Sequence, residues 1–397
     1  MKKLNIIADD KIPFLKGTLD NYCNVKYLAG TKITTQAIKK HSANALITRT
    51  RTQCNQKLLK NSRVAFIGTA TIGHDHIDNE FCSQKNIKWV NAPGCNANSV
   101  AQYITSALIN IISEDKLKIE NLTLGIVGVG NVGTAVMKMA NNLGFNVLLN
   151  DPLKAKNYES KLEFNDLDYV LKNSDIISMH TPLTKIKDSE YPTLHLADDD
   201  FFAKMKKNAY FINSGRGEVV NSRALKTALK ENHIKAAIID VWENEPNIDM
   251  ELLNLVRYGT PHIAGYSLDG KANGTAQIIN KIAKHFPELP KSLQTWYPDN
   301  ITEPNNSKII INDQEITSNS DYSKILQNII NATYNINDDY QRLIANPFDF
   351  EAQRGSYPLR REFPAFTVQF PNKNILVNNA LYKKLIKVLT DLKFNIQ

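Results

Sequence analysis

Between residues 212 and 266 the chain carries an arginine in INSGRG (Arg216), a glutamate in DVWENEP (Glu245) and a histidine in TPHIAGY (His262). A guanidinium grips a carboxylate in two parallel hydrogen bonds, and a carboxylate fixes the tautomer of an imidazole. An imidazole in turn moves a proton near neutral pH. Those are the groups that oxidation of a 2-hydroxy acid requires. Upstream lies GIVGVGNVG, residues 125–133, whose glycine spacing suits the phosphate-binding turn of a dinucleotide site.

The context of that turn gives it weight. Gly128-Val-Gly130-Asn131-Val132-Gly133 follows an apolar run that reads as a strand and opens a run with helical periodicity. Gly128 permits the tight turn, Gly130 admits a pyrophosphate to the backbone, and Gly133 lets the helix pack on the strand. The free N–H groups of the helix N-terminus attract the phosphates. Asp151 ends the next strand, at the spacing of a carboxylate that accepts from ribose hydroxyls and repels a 2′-phosphate, so NAD is expected rather than NADP. Each of these residues has a plainer alternative. Asp151 and Asp240 could cap the turns after their strands, Arg216 could be a surface arginine in a glycine turn, and His262 a satisfied structural histidine.

The elements that must position these groups read as alternating strands and helices. Leu4–Ala8, Val25–Leu28, Ala45–Thr48, Val64–Ile67 and Trp89–Asn91 have the texture of strands in a parallel α/β sheet. Ser99–Ile112 is nearly apolar throughout and predicts a buried helix between domains. The alternation then restarts: strands at Leu122–Val127, Asn146–Leu149, Asp175–His180, Ala209–Asn213 and Ala236–Asp240, and a helix at Asn131–Leu143, fit a doubly wound sheet. A helix over Lys271–His285 follows, and Phe286–Pro290 marks a boundary. The remainder mixes strand-like Lys308–Ile311 with helix-like Tyr322–Thr333 and predicts a small α+β domain.

Composition excludes several classes. A chain of 397 residues suits two or three domains. Its four cysteines (Cys23, Cys54, Cys82, Cys95) form no C-x-x-C pair, so neither a disulfide framework nor a structural metal site is expected. No apolar run is long enough to span a bilayer, and the opening MKKLNIIADD reads as a first strand, not a leader, which points to the cytoplasm. Lys+Arg 48 against Asp+Glu 40 gives +8, but the signs are interspersed and no basic block carries aromatics, so nucleic acid is not an expected partner.

GIVGVGNVG, Asp151, HTPL (180–183), INSGRG, DVWENEP and TPHIAGY together resemble the D-isomer-specific 2-hydroxyacid dehydrogenase family. Residues 67–79, 92–100, 194–198 and 262–277 are similar to a branch that oxidises 4-phospho-D-erythronate on a route to pyridoxal phosphate (vitamin B6). The resemblance spans nearly the whole chain, including a tail absent from the general family. It implies a flavodoxin-like substrate-binding lid (1–94 with 267–286), a Rossmann NAD domain (95–266) and a C-terminal α+β dimerisation domain (290–397), hence a homodimer. It further implies Arg216, Glu245 and His262 as active-site residues, with His262 moving the proton. NAD would contact residues 128–133, Asp151, Thr181, Ser214, Gly215, Arg216, Asp240 and Gly265. Substrate would meet Thr50, Thr71 and Tyr266.

Two other readings share these motifs: the same chemistry on another 2-hydroxy acid such as 3-phosphoglycerate or glycerate, and a dinucleotide-sensing co-repressor-like binding protein. A phosphorylated substrate also needs cations beyond Arg216. The stretch RGSYPLRR (Arg354–Arg361), with Arg360 and Arg361 adjacent, is expected to contribute them, or else to be a solvated surface.

Overall fold

The computed structural model describes residues 3–156, 161–187, 189–317, 321–371, 376 and 378–397. These divide into two compact units, residues 1–96 with 267–302, and residues 97–266 with 303–397.

The first unit is built on five strands, β1 (Asn5–Asp9), β2 (Asn24–Leu28), β3 (Ala45–Thr48), β4 (Phe66–Thr69) and β5 (Lys88–Val90). All pair in parallel, in the order β2-β1-β3-β4-β5, which is the flavodoxin-like arrangement. β3 and β4 are buried along their whole length, as strands covered on both faces must be. One cover is the helix Leu268–His285, which brings Ile278, Ile279 and Ile282 into a core with Ile6, Ile47 and Phe66. This helix begins one turn earlier than its periodicity indicates. Ser267 Oγ accepts the Gly270 N–H at 2.8 Å and so fixes the start, while the two glycines in LDGKANG obscure it in the sequence.

The second unit carries a six-stranded parallel sheet: β6 (Thr123–Val127), β7 (Asn146–Asn150), β8 (Ile176–Met179), β9 (Tyr210–Asn213), β10 (Ala236–Ile239) and β11 (Tyr258–Gly259), in the order β11-β10-β9-β8-β6-β7. The chain leaves β6 for β7 on one side and returns to β8 on the other, so the strand order reverses beside β6. In doubly wound sheets the ligand crevice opens there, at the carboxyl ends of the strands. The expected helix over Asn131–Leu143 is present with those bounds, ending on Gly144 at φ +97°. β11 is only two residues long, too short to leave a pattern in the sequence.

Residues 303–397 share one core with 97–266. Their own three-stranded parallel sheet, β12 (Lys308–Ile310), β13 (Thr367–Gln369) and β14 (Asn395–Ile396), is accompanied by helices including Tyr322–Thr333, Ile336–Ala345, Phe350–Gly355 and Ala380–Asp391. The helix Ala97–Glu114 is buried along nearly its whole length because Tyr322–Thr333 packs along it. Polar side chains on this seam satisfy each other: Gln327 Nε2 and Asn331 Nδ2 donate to Asn110 Oδ1 at 2.7 and 2.8 Å, and Ser113 Oγ donates to Gln327 Oε1 at 2.9 Å. Among the described residues, no helix is long and apolar enough to cross a membrane.

Candidate active site

Every cofactor-site residue singled out from the sequence falls just beyond the carboxyl end of a strand in the second unit. Gly128 follows β6, and Gly130 stands at the head of the helix Asn131–Leu143, which begins with Asn131, Val132 and Gly133. A side chain at Gly133 would place its Cβ 2.0 Å from the Gly128 oxygen, so glycine is needed for the helix to approach the strand. At Gly130 the same construction meets nothing within 4 Å, leaving open space over the helix N-terminus. Across the reversal point, beyond β8, Thr181 Oγ1 is buried with no hydrogen-bond partner among the described residues. A buried orphan hydroxyl beside an open glycine turn is the mark of a missing polar ligand. The turn therefore fits a dinucleotide.

Asp151 is more engaged than a carboxylate reserved for ribose. Its Oδ2 accepts the Val129 N–H at 3.0 Å and its Oδ1 accepts the Lys154 N–H at 3.0 Å, capping the short helix Pro152–Ala155. The capping role, weighed from the sequence as the plainer alternative, is present in the fold. Each carboxylate oxygen retains a second lone pair for a hydroxyl.

Beyond β9, Ser214, Gly215 and Arg216 form a turn tied by the Asn213 side chain. Its Oδ1 accepts the Gly215 N–H and its Nδ2 donates to the Arg216 carbonyl, both at 3.0 Å. Next comes Gly217, where a Cβ would lie 2.0 Å from the Trp242 carbonyl oxygen. Glycine at this place lets the Arg216 turn sit against the Trp242–Glu245 segment. Among the described residues the Arg216 Nη1 binds only its neighbour's carbonyl, Gly215 O at 2.9 Å, so the half-buried guanidinium keeps most of its donors for a ligand.

The Trp242 N–H holds Glu245 Oε1 at 2.9 Å, and Glu245 Oε2 accepts His262 Nδ1–H at 2.8 Å. With Nδ1 committed as donor, Nε2 is left as the proton acceptor. Burial pushes the Glu245 carboxyl up, but the His262 hydrogen bond and charge, the Trp242 N–H and the charge of Arg354 outweigh it, and the net shift is down. Glu245 therefore stays ionised beside the ring.

Asp240, immediately after β10, organises the loop that presents His262. Its oxygens accept the N–H groups of Ile263 and Ala264 at 2.8 and 2.9 Å and the Thr260 hydroxyl at 2.6 Å. Tyr103, from the buried helix Ala97–Glu114, donates in turn to Thr260 Oγ1 at 2.8 Å. His262 itself is in the left-handed region, φ +55°, which costs a non-glycine residue energy and persists only where its surroundings hold it. Desolvation raises the Asp240 carboxyl above its ordinary value, against the lowering effects of His262 and the loop donors. Gly265 and Tyr266 close the loop, with the Tyr266 N–H on Ile263 O at 2.8 Å.

Thr50 and Thr71 belong to the first unit, each two residues beyond a strand, β3 and β4. Thr50 is exposed, and Thr71 Oγ1 donates to Gly73 O at 2.9 Å.

The expectation for Arg360 and Arg361 is corrected. Arg360 is 4% exposed and serves as an internal brace, donating to Ser99 O at 2.5 Å, Gln102 Oε1 at 3.0 Å and Ala264 O at 3.2 Å, with its guanidinium 3.8 Å from the Tyr334 ring centre. Arg361 is buried too and lies 3.6 Å from Glu303. Sequence clustering mistook a structural pair for a surface patch. Arg354 is different, because its guanidinium stands 5.8 Å from the Tyr266 ring centre. His180, in the HTPL motif, meets Ser214 Oγ through Nδ1 at 3.4 Å, and desolvation drives its imidazole down to about 3 and keeps it neutral.

An arginine with donors to spare, an oriented imidazole and a glycine turn that fits a dinucleotide, along one edge of a parallel sheet, suit a dehydrogenase of 2-hydroxy acids. Comparison with known proteins gives the same class. Residues 106–264 match the D-isomer specific 2-hydroxyacid dehydrogenase NAD binding domain, and residues 308–384 match a domain of unknown function, DUF3410. An erythronate-4-phosphate dehydrogenase of Bacteroides thetaiotaomicron is 44% identical over 92% of this chain and 99% of its own length. That of Acinetobacter baylyi is 38% identical over 91% and 98%. Among solved structures, a D-lactate dehydrogenase of Aquifex aeolicus complexed with NAD and lactic acid superposes with TM-score 0.56 at 24% identity, covering 75% of this chain and all of that one. A 2-hydroxyacid dehydrogenase of Ketogulonicigenium vulgare gives 0.62 at 19% identity, covering 73% and 97%. The chain belongs to the erythronate-4-phosphate dehydrogenase family.

Proposed function

We propose that this protein oxidises 4-phospho-D-erythronate with NAD, giving (R)-3-hydroxy-2-oxo-4-phosphooxybutanoate in pyridoxal 5′-phosphate biosynthesis. The observation that carries the chemistry is the 2.8 Å bond between Glu245 and His262, on the same sheet edge as Arg216. Arg216 binds the substrate carboxylate through its forked donors and holds C2 in register. His262 Nε2 takes the proton of the C2 hydroxyl as the carbonyl forms. Glu245 keeps the ring in the Nδ1–H tautomer and stabilises the imidazolium that results. Bound along residues 128–133, NAD supplies the hydride acceptor. Asp151, Thr181, Ser214, Gly215, Arg216, Asp240 and Gly265 contribute to its site, and Thr50, Thr71 and Tyr266 contact substrate.

Residues 1–94 with 267–286 act as the substrate-binding lid, 95–266 as the NAD domain and 290–397 as a dimerisation domain of a cytoplasmic homodimer. Exposed Phe348 (89%), Ile344 and Leu359 on the C-terminal segment support the last role. NADH formation over a panel of phosphorylated and unphosphorylated 2-hydroxy acids tests the reading. Preference for 4-phospho-D-erythronate is expected, and preference for 3-phosphoglycerate or glycerate would overturn it.

A further inference from the structure

Arg354 lies in the six-residue helix Phe350–Gly355, within the C-terminal segment. Its guanidinium lies within cation–π range of two rings, 5.8 Å from the Tyr266 centre and 5.9 Å from the Phe350 centre. Nη1 donates to Glu351 Oε1 at 2.6 Å, a carboxylate close to half exposed. The Nε–H is buried with no partner among the described residues. A desolvated donor left unpaired is costly, and a charged one more so, so its persistence points to an acceptor that arrives with a ligand. The fork of Nε with Nη2 is the edge of arginine that matches two oxygens of a phosphate.

The neighbourhood says which ligand. Tyr266 sits three residues after Ile263, whose N–H the Asp240 carboxylate accepts, and four after His262. The charge of Arg354 reaches Glu245, where it helps hold the carboxyl down. Arg216 is occupied by the substrate carboxylate in the mechanism above, so a second anionic group needs a second cation. Arg360 and Arg361 are sequestered in the fold. We propose that Arg354 is a specificity-determining residue that binds the phosphate of the substrate through its Nε–Nη2 edge. The assignment rests on the reading of the substrate as a phosphorylated 2-hydroxy acid. It gives the C-terminal segment a direct part in substrate choice.

The test compares kcat/KM for 4-phospho-D-erythronate and for unphosphorylated D-erythronate in the full-length wild type, R354Q and R354K. For R354Q, kcat/KM on the phosphorylated acid falls by about 100-fold, mainly through KM, while that on erythronate changes by less than about threefold. R354K recovers about tenfold of the loss, since lysine keeps the charge but not the fork. Equal losses on both acids would reduce Arg354 to a packing residue, and no loss on either would remove it from the site. A second measurement uses inorganic phosphate as the probe. Phosphate raises the melting temperature of the wild type, and R354Q abolishes most of that rise. An undiminished rise in R354Q overturns the assignment even if the wild type fails to oxidise the phosphorylated acid, an outcome that would by itself overturn only the proposed reaction. Should R354Q not fold, the two substrates measured on R354K decide the matter in the same way.

Discussion

The Asp240 carbonyl oxygen accepts the backbone N–H of His262 at 2.7 Å, and the Asp240 carboxylate takes the two amides that follow. One buried residue thus holds three consecutive N–H groups and the left-handed turn that presents the imidazole. Asp240→Asn keeps the size but sets an amide N–H against a backbone donor. A stability loss of about 1–3 kcal/mol is expected from the unpaired group. A lower kcat should accompany it, because His262 is released. Thermal unfolding and steady-state kinetics on one preparation check this; an unchanged kcat would show that the turn is held by other means.

Glu245 is predicted to act on both rate and acid stability. Glu245→Gln should lower kcat by about 10²–10⁴-fold, as removal of a charge that orients a proton-transfer histidine does elsewhere. Because its folded carboxyl is shifted down, the ionised form stabilises the native state above the ordinary carboxylate range. That contribution is lost as pH falls through the lowered folded value. Denaturant titrations should therefore show the wild type ahead of Glu245→Gln at neutral pH, with the gap closing below about pH 4. A gap that widens in acid would contradict the sign.

Gly133 and Gly130 of the cofactor turn should behave oppositely. Gly133→Ala forces a contact with the Gly128 oxygen that backbone alone can relieve, so the protein should lose about 1–3 kcal/mol of stability. Gly130→Ala meets no neighbour in the fold and should leave the melting temperature within a degree or two, on the order of 0.5 kcal/mol. Its added methyl occupies the space proposed for the pyrophosphate, so KM for NAD should rise. Equal melting temperatures for the two variants would sink this account of the turn.

Arg360→Met tests whether that arginine is a brace or a ligand. Removing it takes a buried donor from four acceptors, Ser99 O, Gln102 Oε1, Ile263 O and Ala264 O, and a loss of about 1–3 kcal/mol is expected. At a temperature where the variant remains folded, KM for the phosphorylated acid should stay close to wild type. A raised KM with intact stability would return Arg360 to the substrate site.

Much of this was legible because local chemistry and global fold agree. The helix Asn131–Leu143 has its start marked by the glycine turn and its end by Gly144, and both bounds could be read directly. Arg216, Glu245 and His262 were visible because each sits in a short motif just after a strand. What was not legible depends on partners distant in sequence. Arg360 looks like a surface cation until Ser99, Gln102 and Ala264, roughly a hundred or more residues away, are seen to receive it. Asp240 read as an NAD contact or a cap, and its hold on the His262 loop needed the third dimension. β11 has two residues and no period to detect. Gly217 looked like the end of a motif; only the carbonyl of Trp242 explains it.

The most direct measurement follows NADH formation from 4-phospho-D-erythronate by the wild type and by His262→Asn across a pH series. The wild type should reduce NAD with this acid in preference to 3-phosphoglycerate. His262→Asn should bind NAD with wild-type affinity, yet turn over slower by about 10²–10⁴-fold. A wild type that leaves NAD oxidised, or a His262→Asn variant that reduces it at the wild-type rate, would contradict the account.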